Sequence, residues 1–193
     1  MYKLCKTEQS AQRQHQLEAG LLRIMSGKRY EEISVSELCD HMQIPRKSFY
    51  RYFSSKDGAL YALLDHTLME YEGFSGSYQE GEARSLQKDL ERFFLFWIQH
   101  KPLLDALERS GMSGILIERS INHALSAAVM PKRFLPQDTE EIRKHVTMFG
   151  VCGLMSMVLT WHHDGYPQSA EKMAAIACRL LDRPLFPGAE NFF

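Results

Sequence analysis

Between Ser34 and Asp57 the chain reads SVSELCDHMQIPRKSFYRYFSSKD, a stretch with room for two short helices, a turn and the start of a third helix. Ser34, three residues ahead of Glu37, forms a capping box that satisfies amides a helix start otherwise leaves unpaired. Val35, Leu38, Cys39 and Met42 then recur at helical spacing and give that helix one inward face. Gln43-Ile44 is the turn, and Pro45 suits the first turn of the next helix, where a missing N–H costs no bond. This second helix, Pro45 to about Tyr52, turns Phe49 and Phe53 inward and leaves Arg46, Lys47, Ser48, Tyr50 and Arg51 more exposed. Ser54 and Asp57 form another capping box and open a longer helix carrying Leu60, Leu63, Leu64, Thr67, Leu68 and Tyr71.

Two short helices joined by such a turn make a helix-turn-helix, whose second helix fits the major groove of B-DNA. Arg46, Lys47 and Ser48 stand where base edges are read, since arginine and lysine pair well with guanine. Tyr50, Tyr52 and Lys56 are candidates for phosphate contacts, which position a protein without reading sequence. The plainer alternative is an amphipathic helix with a solvated basic side; the two flanking capping boxes favour the helix-turn-helix. Charge agrees with it. Residues 1–60 carry ten Lys and Arg against seven Asp and Glu, while residues 61–193 carry thirteen against seventeen. A basic head on an acidic body is compatible with a head that meets phosphate.

The stretch resembles the DNA-binding domain of the TetR/AcrR family of bacterial transcriptional regulators. The likeness rests on Val35, Leu38, Arg46, Ser48, Phe49, Tyr50, Tyr52, Phe53, Ser55, Lys56 and Asp57 and covers about residues 17–64. It departs from the family pattern at Arg29, where glycine is common before the aromatic Tyr30, at Gln43 in place of the turn glycine, and at Pro45 in place of a capping serine. The resemblance implies a homodimer whose two heads bind adjacent major grooves of a palindromic double-stranded DNA operator. Arg46, Lys47 and Ser48 would then face bases, Tyr50 and Arg51 would lie near bases or backbone, and Tyr52 and Lys56 would hold phosphates.

Elsewhere the chain also reads as helical. Thr7–Met25 forms a first helix through Leu17, Leu21, Ile24 and Met25, and Phe74–Glu82 reads as a flexible connection. Beyond it, helices are expected at about Arg84–His100, Leu103–Arg109, Met112–Val129, Thr139–His163 and Ser169–Leu181. The expected fold is all-α with about nine helices: a three-helix DNA-binding domain over 1–54, a connecting helix over 55–73 and a regulatory and dimerisation domain over 74–193.

The helix Thr139–His163 is apolar around nearly its whole girth in its second half, so it should be covered on both sides. The resemblance implies a four-helix dimer interface from 139–163 and 169–181; packing within one chain is the alternative. The aromatic helix would face the other side, with Phe93, Phe96, Trp97, Ile115, Met148, Phe149, Cys152 and Met155 lining a pocket for a small apolar or aromatic effector. His100, Arg119, His123 or His145 would supply its polar contacts. Ordinary core packing explains the same stripe.

No nucleophile–base pattern, phosphate loop or metal-ligand spacing points to catalysis, so no catalytic residue, metal or cofactor is expected. Cys5, Cys39, Cys152 and Cys178 are scattered without a C-x-x-C pair and read as small buried hydrophobes, a redox role for Cys152 or Cys178 being the alternative. Adjacent His162 and His163 point about 100° apart on a helix and chelate poorly, so a solvated helix end is expected there. The N-terminal segment lacks the apolar region of a secretory signal, and the apolar run Val146–Trp161 is interrupted by Gly150, Gly153 and Ser156. The expectation is a cytoplasmic, dimeric repressor released from DNA by a small ligand; the alternative is a regulator controlled by a protein partner, without a small-molecule pocket.

Overall fold

The computed structural model describes residues 2, 3, 5, 7–76, 85–127 and 139–182. Among them are nine α-helices: α1 (Glu8–Met25), α2 (Val35–His41), α3 (Arg46–Tyr50), α4 (Lys56–Gly76), α5 (Leu86–Gln99), α6 (Lys101–Arg109), α7 (Ser113–Ala127), α8 (Glu140–His163) and α9 (Ala170–Asp182), with a short 3₁₀ turn at Tyr30–Glu32. One device starts most of them: a hydroxyl just ahead of the helix accepts a backbone N–H inside it. Thr7, Ser34, Ser85, Thr139 and Ser169 do so for α1, α2, α5, α8 and α9, at 3.1 to 3.3 Å.

Three boundaries differ from the sequence reading. Ser55, not Ser54, caps α4, accepting the Gly58 amide at 3.2 Å. The Asp57 carboxylate, expected to complete that box, instead accepts a hydrogen bond from the Tyr30 hydroxyl at 2.5 Å. Helix α4 runs on through Phe74 to Gly76, so the expected connection shrinks from its front; its remainder at 77–82 lies outside the described residues. Likewise, α6 begins at Lys101, with Pro102 in the first turn, where its ring is tolerated.

The head packs Leu17, Leu21 and Met25 of α1 against Leu38 and Cys39 of α2, Phe49 of α3, and Ala59 and Leu60 of α4. In the body, the fully buried Phe94, Phe96 and Trp97 of α5 lie along α9, whose inward face is Ala170, Met173, Ala174 and Ala177. The small residues of this last helix thus admit the bulky rings of α5 within one protomer. Helix α8 lies along α7, while its Trp161 reaches the α5 ring of Phe94 at 5.5 Å.

Among the described residues, helix α8 is therefore covered on one side only. Phe149 is 63% exposed and Ile142 41% exposed. By length and composition alone α8 is long and apolar enough to cross a membrane, and 17% of its most apolar 18-residue window is buried within the protomer. The end of α8 is less open than expected. His162 is buried, with Nδ1 at 2.9 Å from the Tyr166 hydroxyl and Nε2 at 3.2 Å from Glu108. His163 is exposed and bonds Glu108 at 2.5 Å, which raises its pKa.

Head and body meet at defined points. The Arg109 guanidinium at the end of α6 donates to the carbonyls of Met25 and Ser26 at 2.8 and 2.5 Å, capping the C-terminus of α1. Ser110 accepts the Tyr30 amide at 3.0 Å. Arg119 of α7 pairs with Asp65 of α4, and His123 of α7 with Glu72 of α4 at 3.1 Å. Arg119 and His123, expected as polar pocket contacts, thus grip the helix that joins head to body. His100 lies 3.4 Å from Glu70 of α4, and exposed His145 bonds its own helix at the Glu141 carbonyl.

Candidate nucleic-acid interface

The turn between α2 and α3 closes with two backbone bonds, Ile44 N–H to Cys39 C=O at 2.9 Å and Gln43 N–H to Asp40 C=O at 3.1 Å. This is a Schellman ending, which places its linking residue in the left-handed region. Gln43 sits there with φ of 54°. Glycine is the usual occupant because a Cβ costs about 1–2 kcal/mol in that conformation. The absent turn glycine has therefore changed the energy of the turn and not its geometry. Behind it, Gly20 of α1 lets Met42 approach so closely that a Cβ at position 20 would stand 2.3 Å from the Met42 sulfur.

Pro45 precedes α3 in an extended conformation and serves as its N-cap, one position before the first-turn place expected from sequence. Five residues cannot hold a helix alone, because nucleation costs more than so few bonds return. Phe49 supplies what is missing. It is fully buried and packs at 5.2 Å from Phe53 and 5.5 Å from Tyr50, ring to ring. Anchoring Phe49 turns Arg46, Lys47, Tyr50 and Arg51 out to solvent, with Ser48 and Tyr52 half-buried beside them. The side chains of Arg46, Lys47 and Arg51 make no hydrogen bond or ion pair to another described residue. Three cations and a 43%-exposed tyrosine thus share one short surface with their hydrogen-bonding capacity unspent.

Lys56 is placed differently from the rest. Its ammonium donates to the carbonyls of Tyr30 and Ile33, both at 2.6 Å, and lies 4.1 Å from the Tyr30 ring centre. Burial lowers its pKa. Tyr30 in turn donates to Asp57, and burial followed by that bond raises the phenol pKa. Lys56, Tyr30 and Asp57 form a clamp that fixes the start of α4 to the connection after α1.

Sequence reading missed a second support. Lys3 N–H donates to the Tyr52 carbonyl at 3.0 Å, and Tyr2 bridges Phe53 antiparallel, so the N-terminal segment pairs with the exit of α3. The Tyr2 hydroxyl donates to Asp65 at 2.8 Å, the same carboxylate that Arg119 holds. A two-residue bridge carries no periodicity, so composition offered no signal for it.

The eight residues expected to line a pocket lie on three helices, α5, α7 and α8. Phe93, Phe96 and Trp97 are buried in a ring cluster with Tyr71, Phe74 and His100. Met155 is buried, Ile115, Met148 and Cys152 are half-buried, and Phe149 faces outward. A hollow of about 310 Å³ between α8 and α9 is lined by Ser156, Met157, Thr160, Trp161, Asp164, Gln168 and Met173, none of them in that set.

No family model matches the chain. The HTH-type transcriptional regulator EthR of Mycolicibacterium smegmatis is 33% identical over 76 residues, covering 37% of this chain and 35% of that protein. The chain thus matches about a third of that relative's length. Among solved structures, a TetR-family transcriptional regulator from Streptomyces coelicolor superposes with a TM-score of 0.59 at 20% identity, covering 89% of this chain and 79% of that one. The fatty acid degradation regulator FadR of Bacillus halodurans gives 0.57 at 14% identity, covering 94% and 98%. DhaS, an activator of a dihydroxyacetone kinase operon, gives 0.57 at 14% identity, covering 87% and 93%. At these identities the structural likeness is one of fold.

Proposed function

We propose that this chain, a TetR-family protein by its fold, is a dimeric, sequence-specific DNA-binding regulator of transcription, and not an enzyme. The observation that carries the reading is the outer surface of α3, where Arg46, Lys47, Tyr50 and Arg51 stand together, exposed, on a helix fixed by buried Phe49. Arginine and lysine at the start of a groove helix read guanine edges, and Ser48 and Tyr50 add neutral donors. Tyr52 lies at the rim, where phosphates pass.

A single five-residue helix reads too few base pairs for selectivity, so a second copy is needed. The open side of α8, with Ile142 and Phe149 and the small residues Gly153 and Ser156, is the surface that a second copy would cover. Leu180 and Leu181 of α9, 46% and 50% exposed, extend it. An exposed apolar face of this length on a globular body calls for a partner, and the charged first turns of α8, with Glu140, Glu141, Arg143 and Lys144, suit protein and water better than lipid. In such a dimer the two α3 helices enter successive major grooves about 34 Å apart. The regulator acts in the cytoplasm as a repressor, occupying an operator until α4 moves.

What moves α4 has two readings. One is a small apolar ligand received by the body. The other is a protein partner, favoured by an aromatic interior already filled by its own rings and by a hollow that opens outward. The test of the DNA reading is selection of bound duplexes from a random pool by the purified full-length protein. Enrichment of an inverted repeat is expected, and Arg46→Ala should change the preferred bases. A pool without enrichment overturns the reading.

A further inference from the structure

One cluster of ligand-type side chains is used by nothing described so far. It lies in the head, on the seam where α1 meets α4. His15 and Glu18 stand one turn apart on α1, and His66 faces them from α4. Glu18 is the buried member, its side chain 2% exposed. The Nδ1 atom of His15 lies 3.2 Å from Oε2 of Glu18, and Nδ1 of His66 lies 2.9 Å from the same oxygen and 3.0 Å from the other. The two imidazole centres are 4.5 Å apart, and one ligand atom from each of the three residues falls within 4.8 Å of the others.

A buried carboxylate is paired, hydrogen-bonded or bound to a metal. Here two imidazoles converge on one carboxylate, more ligand atoms than a single hydrogen bond to it uses. A neutral imidazole keeps a lone pair on one nitrogen. A divalent cation uses all three groups at once, taking a lone pair from each ring and neutralising the carboxylate. Zinc binds imidazole nitrogen and carboxylate oxygen at about 2.0–2.2 Å, which puts neighbouring donor atoms of a tetrahedral site roughly 3.3 Å apart. The separations to Glu18 already approach that value, so small rotations of the side chains suffice. His15, 56% exposed, gives an entry path, and the fourth position is left to water.

We propose that His15, Glu18 and His66 form a site for a divalent transition-metal ion of zinc type, which ties α1 to α4 within the head. Two imidazoles and one carboxylate are the donor set that zinc, cobalt and nickel share, while magnesium and calcium prefer all-oxygen sites. The tie joins α4 at the residue next to Asp65, the carboxylate that Arg119 of the body and Tyr2 of the N-terminal segment both hold. Binding would therefore stiffen the helix that joins head to body, close to the point where the body grips it.

The test uses the full-length protein, freed of metal by a chelator and titrated with zinc chloride against a chromophoric zinc indicator. Cobalt chloride serves as a spectroscopic probe. One ion per chain is expected, with visible cobalt bands and a rise in the thermal midpoint on adding zinc. His66→Ala and His15→Gln should each weaken binding at least tenfold and abolish that rise. His163→Ala, in the other histidine cluster, should leave the ion in place. His15→Gln changes a half-open surface residue, so it reports on the site even where His66→Ala loosens the head. The proposal is overturned if wild-type protein takes up no zinc at micromolar free metal, or if both head variants bind as wild type does.

Discussion

Lys56 illustrates what a residue pattern can and cannot say. Its place in the motif implies a phosphate contact. The fold spends its ammonium on the carbonyls of Tyr30 and Ile33, which no spacing along the chain could reveal because they lie 26 and 23 residues away. Hydrogen bonds from a charged group contribute about 1.5–3 kcal/mol, so Lys56→Ala should lower the urea unfolding free energy by about that much. The salt dependence of DNA binding should stay as in wild type; a slope lower by about 0.9 would instead restore the phosphate role. Gln43 was also legible, as the residue standing where a turn glycine belongs, and the backbone there is left-handed as glycine would have it. His162 was not. Its solvated reading failed because Asp105 and Glu108 of α6 close over it, a contact between distant segments.

At the scale of elements, the start of α2 was legible because capping is local: a hydroxyl and an amide three residues on need no knowledge of the rest of the chain. Helix partners were read poorly. Periodicity says which face of α5 and of α8 is apolar, but not which helix that face will meet most closely: α5 lies along α9 and α8 along α7. The same packing makes α4 sensitive to alkali. Tyr71 of α4 lies 5.6 and 5.2 Å from the Phe93 and Phe96 rings. Burial first, and then the charge of Asp89, pushes its pKa from 10.0 up to about 12. A phenol whose folded pKa is raised contributes stability that is complete below the unfolded value and is lost as pH climbs toward the folded one. Tyr2 and Tyr166, also pushed up to about 12, act in the same direction. Unfolding free energy should therefore hold steady to about pH 10 and fall above it. Tyr71→Phe should remove on the order of 2 kcal/mol of that fall. Equal pH profiles for the variant and wild type would show that Tyr71 ionises as freely in the fold as out of it.

For the whole molecule, the half-covered α8 is where the proposed dimer would form. Its sequence asked for cover on both sides, and one protomer provides cover on one. Phe149, the most exposed large apolar side chain of that helix, stands where a second copy would bury it. Phe149→Asp should weaken self-association more than tenfold, a loss above about 1.4 kcal/mol, as read by sedimentation equilibrium. A variant that dimerises as wild type does would move the interface elsewhere. The helix-turn-helix was the most legible part of the molecule, because its anchor, turn and exposed cations lie within one short run. The open face of α8 was legible only as an excess of apolar residues, and the proposed second copy is what would cover it.

The proposed function rests on the outer surface of α3 binding DNA through its unspent cations. It is tested most directly by fluorescence anisotropy, titrating wild-type protein and the Arg46→Ala/Lys47→Ala double variant into a labelled duplex carrying the selected inverted repeat, across a range of salt. Base contacts of this kind are each worth about 1–3 kcal/mol, so the double variant should bind at least tenfold more weakly while its circular dichroism and thermal midpoint stay those of wild type. Wild-type affinity for the repeat in that folded double variant would contradict the account.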